Sequence, residues 1–158
     1  MVKLIQLLLI MPINILKYNR ALLTRPDIIF CGRKSGNPEL IGLGNPFSHQ
    51  PNSNAVFKVN SLEESLMSYR SWLWKILKAY REKKIATLEL WEMVYLNRVL
   101  HLARLIKENK VSGLMCFCTN IHNYKYSKNK EIKCHAQILY GACIWLNNSH
   151  ISNKKSKK

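Results

Sequence analysis

The chain has 158 residues, 47% of them apolar, and a formal net charge of +16 from 25 Lys and Arg against 9 Asp and Glu. This length and apolar fraction exclude a disordered chain and fit one domain with a sizeable core. The scarcity of carboxylates disfavours chemistry that needs paired acids. The positive charge favours polyanionic partners such as nucleic acid, nucleotides or an anionic surface. Solvated surface lysines, including those of the C-terminal tail, are the alternative explanation of the charge.

Residues 1–26 are predicted to form an N-terminal strand or leader. Lys3 precedes the apolar run Leu4 to Met11, which is shorter than the ~20 residues that a membrane-spanning helix needs. No small-residue cleavage site follows this run, so it does not resemble a secretion signal. Five Cys in such a chain indicate a reducing compartment. We therefore predict a soluble, intracellular protein without a membrane segment.

Two short runs rich in β-branched residues, Ile13 to Leu16 and Ile28 to Cys31, are predicted to be strands. The second leads directly into Gly32 and Arg33. Residues 34–60 are rich in Gly, Pro, Asn and Ser, which predicts a long irregular loop. A loop of this length in a small domain is usually either functional or disordered.

Two amphipathic helices follow this loop. Ser61 and Glu64 form a capping box that predicts the start of the first helix. A second helix is predicted over residues 87–108, and both helices carry apolar residues at spacings of three and four. The apolar stripe of the first is Leu62, Leu66, Tyr69, Leu73, Ile76 and Tyr80; that of the second is Leu88, Trp91, Tyr95, Val99, Leu102 and Ile106. The tryptophans of this region are interpreted as packing residues rather than as platforms for bases.

The last third of the chain contains a third strand, Leu114 to Phe117, then a polar loop, Thr119 to Lys133, and a final helix that starts near Cys134. The order of elements predicts a small α/β domain over residues 27–147. We expect a mixed sheet of three to four strands with helices packed on it, in layers that can be Rossmann-like. Residues 148–158 are predicted to be a disordered basic tail.

Several short motifs occur in a characteristic order between residues 28 and 146. They are Ile29 to Arg33, Gly44-Asn45-Pro46-Phe47, the helix Glu63 to Leu73 with its Tyr69-Arg70, Leu114 to Cys118, and Cys134-His135. In this order they resemble a family known as domain of unknown function number four-three-two-six, many of whose members come from phages and bacteria. The family supplies no reaction. This chain departs from it by the insertion of Thr119 to Lys133 and by Gln137, where the family tends to have Asp two residues after the His.

Three cysteines and one histidine form the ligand set of a structural zinc site: Cys116, Cys118, Cys134 and His135. Alternate residues of a strand share a face, so the Cys-x-Cys pair can present both thiols to one point. The adjacent Cys134 and His135 cannot easily both face the same metal ion. Small buried residues without a metal are the alternative. His122 in the inserted loop is a spare ligand candidate.

A ligand pocket is the second prediction for the same region. The start of the final helix near Cys134 offers backbone amides to an anion and lowers the pKa of a thiol. Strand ends in α/β sheets are where such ligands bind, and we expect Arg33 and Arg70 to grip a phosphate, with Asn45 orienting a sugar or base. A tight turn that Phe47 closes against the core is the alternative for residues 44–47. The predicted ligand-binding residues are Gly32, Arg33, Gly44, Asn45, Pro46, Phe47 and Arg70.

Three functions are compatible with these residues. The first is a binding module for a nucleotide or nucleic acid. The second is a small enzyme that acts on a nucleotide or nucleobase in the same pocket, with His135 as acid or base and Cys118 as nucleophile. The third is a zinc-stabilised interaction protein whose charge is incidental.

Overall fold

The computed structural model describes residues 11–34, 37, 41–127 and 130–152. Most of the predicted apolar run at Leu4 to Met11 and the end of the predicted tail, 153–158, lie outside these ranges. The strands are β1 (Ile13–Lys17), β2 (Ile28–Phe30), β3 (Phe47–Ser48), β4 (Phe57–Lys58), β5 (Gly113–Cys116) and β6 (Ile121–Tyr124). The helices are α1 (Leu62–Arg81), α2 (Leu90–Lys107) and α3 (His135–Ser152).

The main sheet has four strands in the order β2-β5-β1-β6. β5 lies between β2 and β1 and is parallel to both, whereas β6 pairs antiparallel with the other side of β1. All four residues of β5 are buried, which is the pattern of a strand covered on both faces. A second, small parallel pair joins β3 to β4 within the long loop. The predicted mixed α/β fold is confirmed.

Helix α1 begins where the capping signal predicts, but its buried face is rotated relative to the predicted stripe. The Ser61 side chain accepts a hydrogen bond from the Glu64 amide at 3.0 Å. Leu62 is exposed, whereas Ser65 and Trp72 are buried. Ser65 can be buried because its hydroxyl donates to the Phe47 carbonyl at 2.9 Å. A polar residue therefore joins this face of α1 to the long loop.

Aromatic side chains fill the space between α1 and α2. The rings of Trp72 and Trp91 stack with centroids 5.2 Å apart, and the Tyr69 and Tyr95 hydroxyls are 2.9 Å apart. The Tyr95 hydroxyl also donates to the Leu43 carbonyl at 3.1 Å, so the helix pair is bonded to the long loop. These contacts confirm that Trp72 and Trp91 are packing residues.

Three sequence predictions about element boundaries need correction. The loop predicted from Thr119 to Lys133 contains β6, which a polar sequence at the sheet edge concealed. β1 lies inside the sheet, so the folded unit crosses the boundary predicted between residues 26 and 27. Helix α3 continues through residue 152, past the predicted end at 147. None of the helices within the described ranges is long and apolar enough to cross a membrane.

Candidate functional site

A cavity of about 430 Å³ lies beyond the carboxyl ends of β2 and β5. Because β2 and β5 are parallel, the segments that follow them emerge at the same edge of the sheet, where α/β proteins place their ligands. The cavity gathers six of the predicted site residues. Its lining is Gly32, Arg33, Asn45, Phe47, Ser48, His49, Gln50, Leu62, Ser65, Leu66, Phe117, Cys118, Lys133 and His135.

Arg33 is the central charged group of this cavity. Its Nη1 donates to the Asn45 carbonyl at 2.7 Å, while its Nε is buried and has no hydrogen-bond partner among the described residues. Burial lowers the pKa of the guanidinium, and the nearby Cys118 opposes this shift. A Cβ at Gly44 would lie 2.6 Å from the Arg33 Cα and N. The two backbone segments therefore approach so closely that only glycine fits at position 44. Gly44 thus positions Arg33 and does not itself line the cavity.

The Asn45 side chain forms hydrogen bonds within the protein through both its nitrogen and its oxygen. Its Nδ2 donates to the Ser65 hydroxyl at 3.0 Å, and its Oδ1 accepts from the Phe47 amide at 2.9 Å. These bonds shape the loop as an Asx turn, and they use one N–H and one acceptor site of the amide. Asn45 therefore holds the loop and supplies the carbonyl that binds Arg33, and its role in orienting a ligand stays a prediction.

The charge of the lining is positive only. Lys133 accompanies Arg33, and the lining of this cavity, taken over the described residues, contains no Asp or Glu. Lys133 forms an ion pair with Glu131 at 3.5 Å, but both side chains are well exposed, so this pair contributes little. The cavity thus presents cationic and neutral hydrogen-bonding groups to an anion.

Three thiols form a compact group at one wall. The sulfurs of Cys116, Cys118 and Cys134 all lie within 4.8 Å of one another, and those of Cys116 and Cys134 are 2.8 Å apart. β5 ends at Cys116 and α3 starts directly after Cys134, so the group joins these two elements. Cys118 is exposed and lines the cavity. Thiolate sulfurs at this spacing are a donor set for a thiophilic metal ion.

Hydrogen bonds among the thiols shift their pKa values in opposite directions. Donation from Cys118, and then from Cys134, lowers the pKa of Cys116. Donation to Cys116 raises the pKa of Cys118 to about 11 and raises the pKa of Cys134 well above its ordinary value. Within the group, Cys116 is therefore the thiol that loses its proton most readily. The exposed thiol of Cys118 lacks the lowered pKa that a cysteine nucleophile requires.

His135 is buried and lines the cavity, but it stands apart from the three-thiol group. Its Nε2 lies 2.7 Å from the Cys31 carbonyl, which fixes Nε2 as the donor. Nδ1 is 4.0 Å from the Cys134 sulfur, and the metal-binding group comprises the three cysteines without the histidine. Burial lowers the pKa of His135. The predicted four-ligand set is thus reduced to three, and the described contacts contain no hydrogen bond between His135 and Cys118.

Three other predicted residues lie outside the cavity. Arg70 is exposed and lines two grooves, one beside Trp74 and one beside Met67, rather than the cavity itself. Pro46 is buried and its carbonyl accepts from the Phe57 amide at 2.9 Å. His122 is exposed on β6 and is not part of the thiol group.

Several lining residues escaped the sequence analysis. Ser65 had a usable signal, because it is a polar residue at helical spacing between Leu62 and Tyr69. Lys133 and Phe117 are adjacent in sequence to predicted metal-binding cysteines, and this adjacency could have indicated that they lie near the site. His49 lies in the irregular loop, and no local pattern marks it.

Comparisons with family models, with curated proteins and with solved structures gave no match. The resemblance to the domain of unknown function therefore stays a prediction that rests on the motifs alone. The fold and site define a small mixed α/β protein with a basic cavity and a group of three thiols at its wall.

Proposed function

We propose that the protein binds a nucleotide, or another small phosphate-bearing ligand, in the basic cavity. The observation that carries this proposal is Arg33, whose buried Nε has no partner among the described residues while Nη1 is fixed by the Asn45 carbonyl. A buried donor without a partner costs about 1–3 kcal/mol. A phosphate oxygen would satisfy this donor and match the planar fork of the guanidinium.

The remaining walls suit a nucleotide. Cavities that hold small ligands measure roughly 300–1,000 Å³, and this one is about 430 Å³. Phe47 and Phe117 contribute aromatic rings to the lining, and bases stack on such rings. Lys133 and His49 add donors for phosphate oxygens, so the polar and apolar parts of a nucleotide each have a counterpart.

We propose in addition that Cys116, Cys118 and Cys134 hold a zinc ion. The donor chemistry fits, because a zinc–thiolate bond of about 2.3 Å places tetrahedral sulfurs roughly 3.8 Å apart. All three sulfurs lie within 4.8 Å of one another, and those of Cys116 and Cys134 are 2.8 Å apart. Small side-chain rotations therefore suffice to bring them to the spacing that zinc requires. Zinc bound there would fasten the end of β5 to the start of α3 and would give the cavity a fixed wall.

Isothermal titration calorimetry tests the ligand proposal. Inorganic phosphate, AMP and GMP would be titrated into the wild type, Arg33→Ala and the matched control Arg70→Ala. We expect Arg33→Ala to weaken nucleotide binding by about 10- to 100-fold, because it removes a charge-assisted pair of hydrogen bonds. Arg70→Ala should bind like the wild type. Equal losses in both variants, or binding that survives Arg33→Ala, would contradict the proposal.

Elemental analysis of the purified protein tests the zinc proposal. We expect stoichiometric zinc in the wild type and its loss in Cys116→Ser. Cys143→Ala is the matched control, because Cys143 is equally buried but lies outside the group. Zinc retained in Cys116→Ser, or absent from the wild type refolded with zinc under reducing conditions, would contradict the assignment.

A further inference from the structure

Three aromatic side chains meet beside the cavity, and we name Tyr18, Phe30 and Phe117 the aromatic cluster. The ring centroids of Tyr18 and Phe117 are 4.9 Å apart, and Phe30 lies 5.7 Å from each of them. β2 ends at Phe30, whereas the other two residues directly follow β1 and β5. The three parallel strands therefore bring the cluster to the same edge as the cavity.

The cluster is open to solvent. Phe117 is 57% exposed and Tyr18 is 38% exposed, whereas Trp72 between the helices is buried. Exposed aromatic rings that gather in one patch indicate a surface that contacts a partner. A Cβ at Gly32 would lie 2.3 Å from the Phe30 ring and 2.9 Å from the Phe117 ring. Only glycine lets both rings lie across the chain at this point.

Phe117 connects the cluster to the cavity, because it belongs to both. Tyr18, in contrast, is absent from the cavity lining. Two exposed basic residues lie close to Tyr18 in the sequence, namely Lys17 and Arg20. An aromatic surface that is continuous with a cavity lined by Arg33 and Lys133 has the two elements that single-stranded nucleic acids use. These are faces for the bases and charge for the backbone.

We propose that the ligand of the cavity is one nucleotide of a single strand of nucleic acid and that the aromatic cluster stacks the neighbouring base. This inference rests on the proposed function and names its substrate class. A duplex is excluded because its bases are already stacked and paired, which hides the faces that the rings would contact. The cavity selects a nucleotide, and the cluster adds sequence-tolerant affinity for the strand that continues from it.

Tyr18 provides the clean test. Its amide donates to the Cys116 carbonyl at 2.7 Å, so the backbone is held independently of the ring, and Tyr18→Ala removes only the aromatic surface. Trp74→Ala is the matched control, since Trp74 is 43% exposed and lies on α1, outside the cluster and the cavity lining. Circular dichroism and thermal unfolding verify that each variant is folded.

Fluorescence anisotropy with labelled oligo(dT), oligo(rU) and a duplex of matched length measures binding, beside calorimetry with AMP. We expect Tyr18→Ala to weaken binding to the single strands by about tenfold or more, as loss of one stacked base does, and to leave AMP binding unchanged. Trp74→Ala should bind like the wild type. The ratio between oligo(dT) and oligo(rU) distinguishes DNA from RNA.

Three outcomes overturn the inference. The first is single-strand affinity that Tyr18→Ala leaves unchanged, and the second is a duplex that binds as tightly as the single strands. The third is affinity that disappears when the tail lysines, Lys154, Lys155, Lys157 and Lys158, are replaced by glutamine in the full chain. If AMP binds in an Arg33-dependent manner while oligonucleotides do not bind more tightly than AMP, the proposed function stands and only this inference fails. If AMP binding is independent of Arg33, the proposed function fails first.

Discussion

Glu92 and Arg33 both lie in buried or partly buried surroundings, but their hydrogen bonding is opposite. Glu92, between α1 and α2, is satisfied at both oxygens: Oε1 accepts from Trp72 at 2.9 Å and Lys75 at 2.8 Å, and Oε2 accepts from the Glu89 amide at 3.1 Å. Arg33, at the cavity, has one bonded nitrogen and one buried nitrogen without a partner among the described residues.

This difference separates the part of the molecule that stabilises the fold from the part that is available to a ligand. A buried charge that is fully hydrogen-bonded is compatible with a stable fold, and removing one member of such a network is costly. A buried donor without a partner lowers stability until something binds it. The helix pair is therefore the stable frame, and the edge of the sheet carries the unsatisfied group.

The largest effect is expected at the satisfied site. Glu92→Ala leaves the buried Trp72 N–H without an acceptor, and the loss of charge-assisted bonds should lower the free energy of unfolding by about 3 kcal/mol. Chemical denaturation followed by circular dichroism measures this. Glu108→Ala is the control, because the Glu108–Lys110 pair is exposed and its loss should change little. If Glu92→Ala lowered the free energy of unfolding no more than the control does, Glu92 would not be part of the stable frame.

Gly44→Ala is expected to have the next largest effect. Its Cβ would meet the Arg33 backbone at 2.6 Å, and backbone cannot swing aside as a side chain can. We expect a loss of about 1–3 kcal/mol in the free energy of unfolding, together with loss of nucleotide binding. At Gly32 the added Cβ meets only rings, so Gly32→Ala should cost less stability. The reverse ranking would show that Gly44 does not position Arg33.

A smaller effect on stability is expected at low pH, where protonation removes the charge of Glu92. Burial alone would raise the pKa of Glu92, but the bonds from Lys75, the Glu89 amide and Trp72 outweigh it and lower that pKa. A lowered folded-state pKa means that the stabilisation is complete above the unfolded value, near 4.5, and is lost as pH falls below it. The melting temperature should therefore fall more steeply below this pH in the wild type than in Glu92→Gln. The slope that remains in the variant includes contributions from Asp27, whose pKa Arg25 and Ser112 lower to about 2, and from Glu108, whose pKa Lys110 lowers. Equal slopes in both proteins would contradict this account.

The sequence predicts much of the frame, because the frame follows from periodicity and capping. The start of α1 at Leu62 and the burial of Tyr95, Val99 and Leu102 on α2 agree with the predicted signals. β6 was missed because an edge strand need not alternate, and only one of its four residues is buried. The end of α3 was missed because polar residues after 147 do not prevent a helix from continuing.

The site was predicted in part, and what failed depends on long-range geometry. Gly32, Arg33 and Cys118 do meet at one cavity, since parallel strands end at the same edge. Arg70 was assigned to the cavity because of its charge. Its side chain lines another groove instead, because the packing of α1 determines how the helix is rotated. The bonds of the Asn45 amide to Ser65 and Phe47 depend on contacts across the loop and α1, which no local pattern reveals.

The smallest effect on stability is expected from substitution of Arg33, and this variant is the most direct test of the difference between Arg33 and Glu92. Arg33→Met keeps the length of the stem, removes one hydrogen bond to the Asn45 carbonyl and also removes the buried Nε that has no partner. Because replacement of an imperfectly satisfied buried charge by an apolar residue is often close to neutral, we expect the free energy of unfolding to stay within about 0.5 kcal/mol of the wild type. Denaturation and nucleotide titration of the same protein sample measure both properties. A stable variant that no longer binds nucleotide would assign Arg33 to the ligand, whereas a loss as large as that of Glu92→Ala would make Arg33 part of the frame.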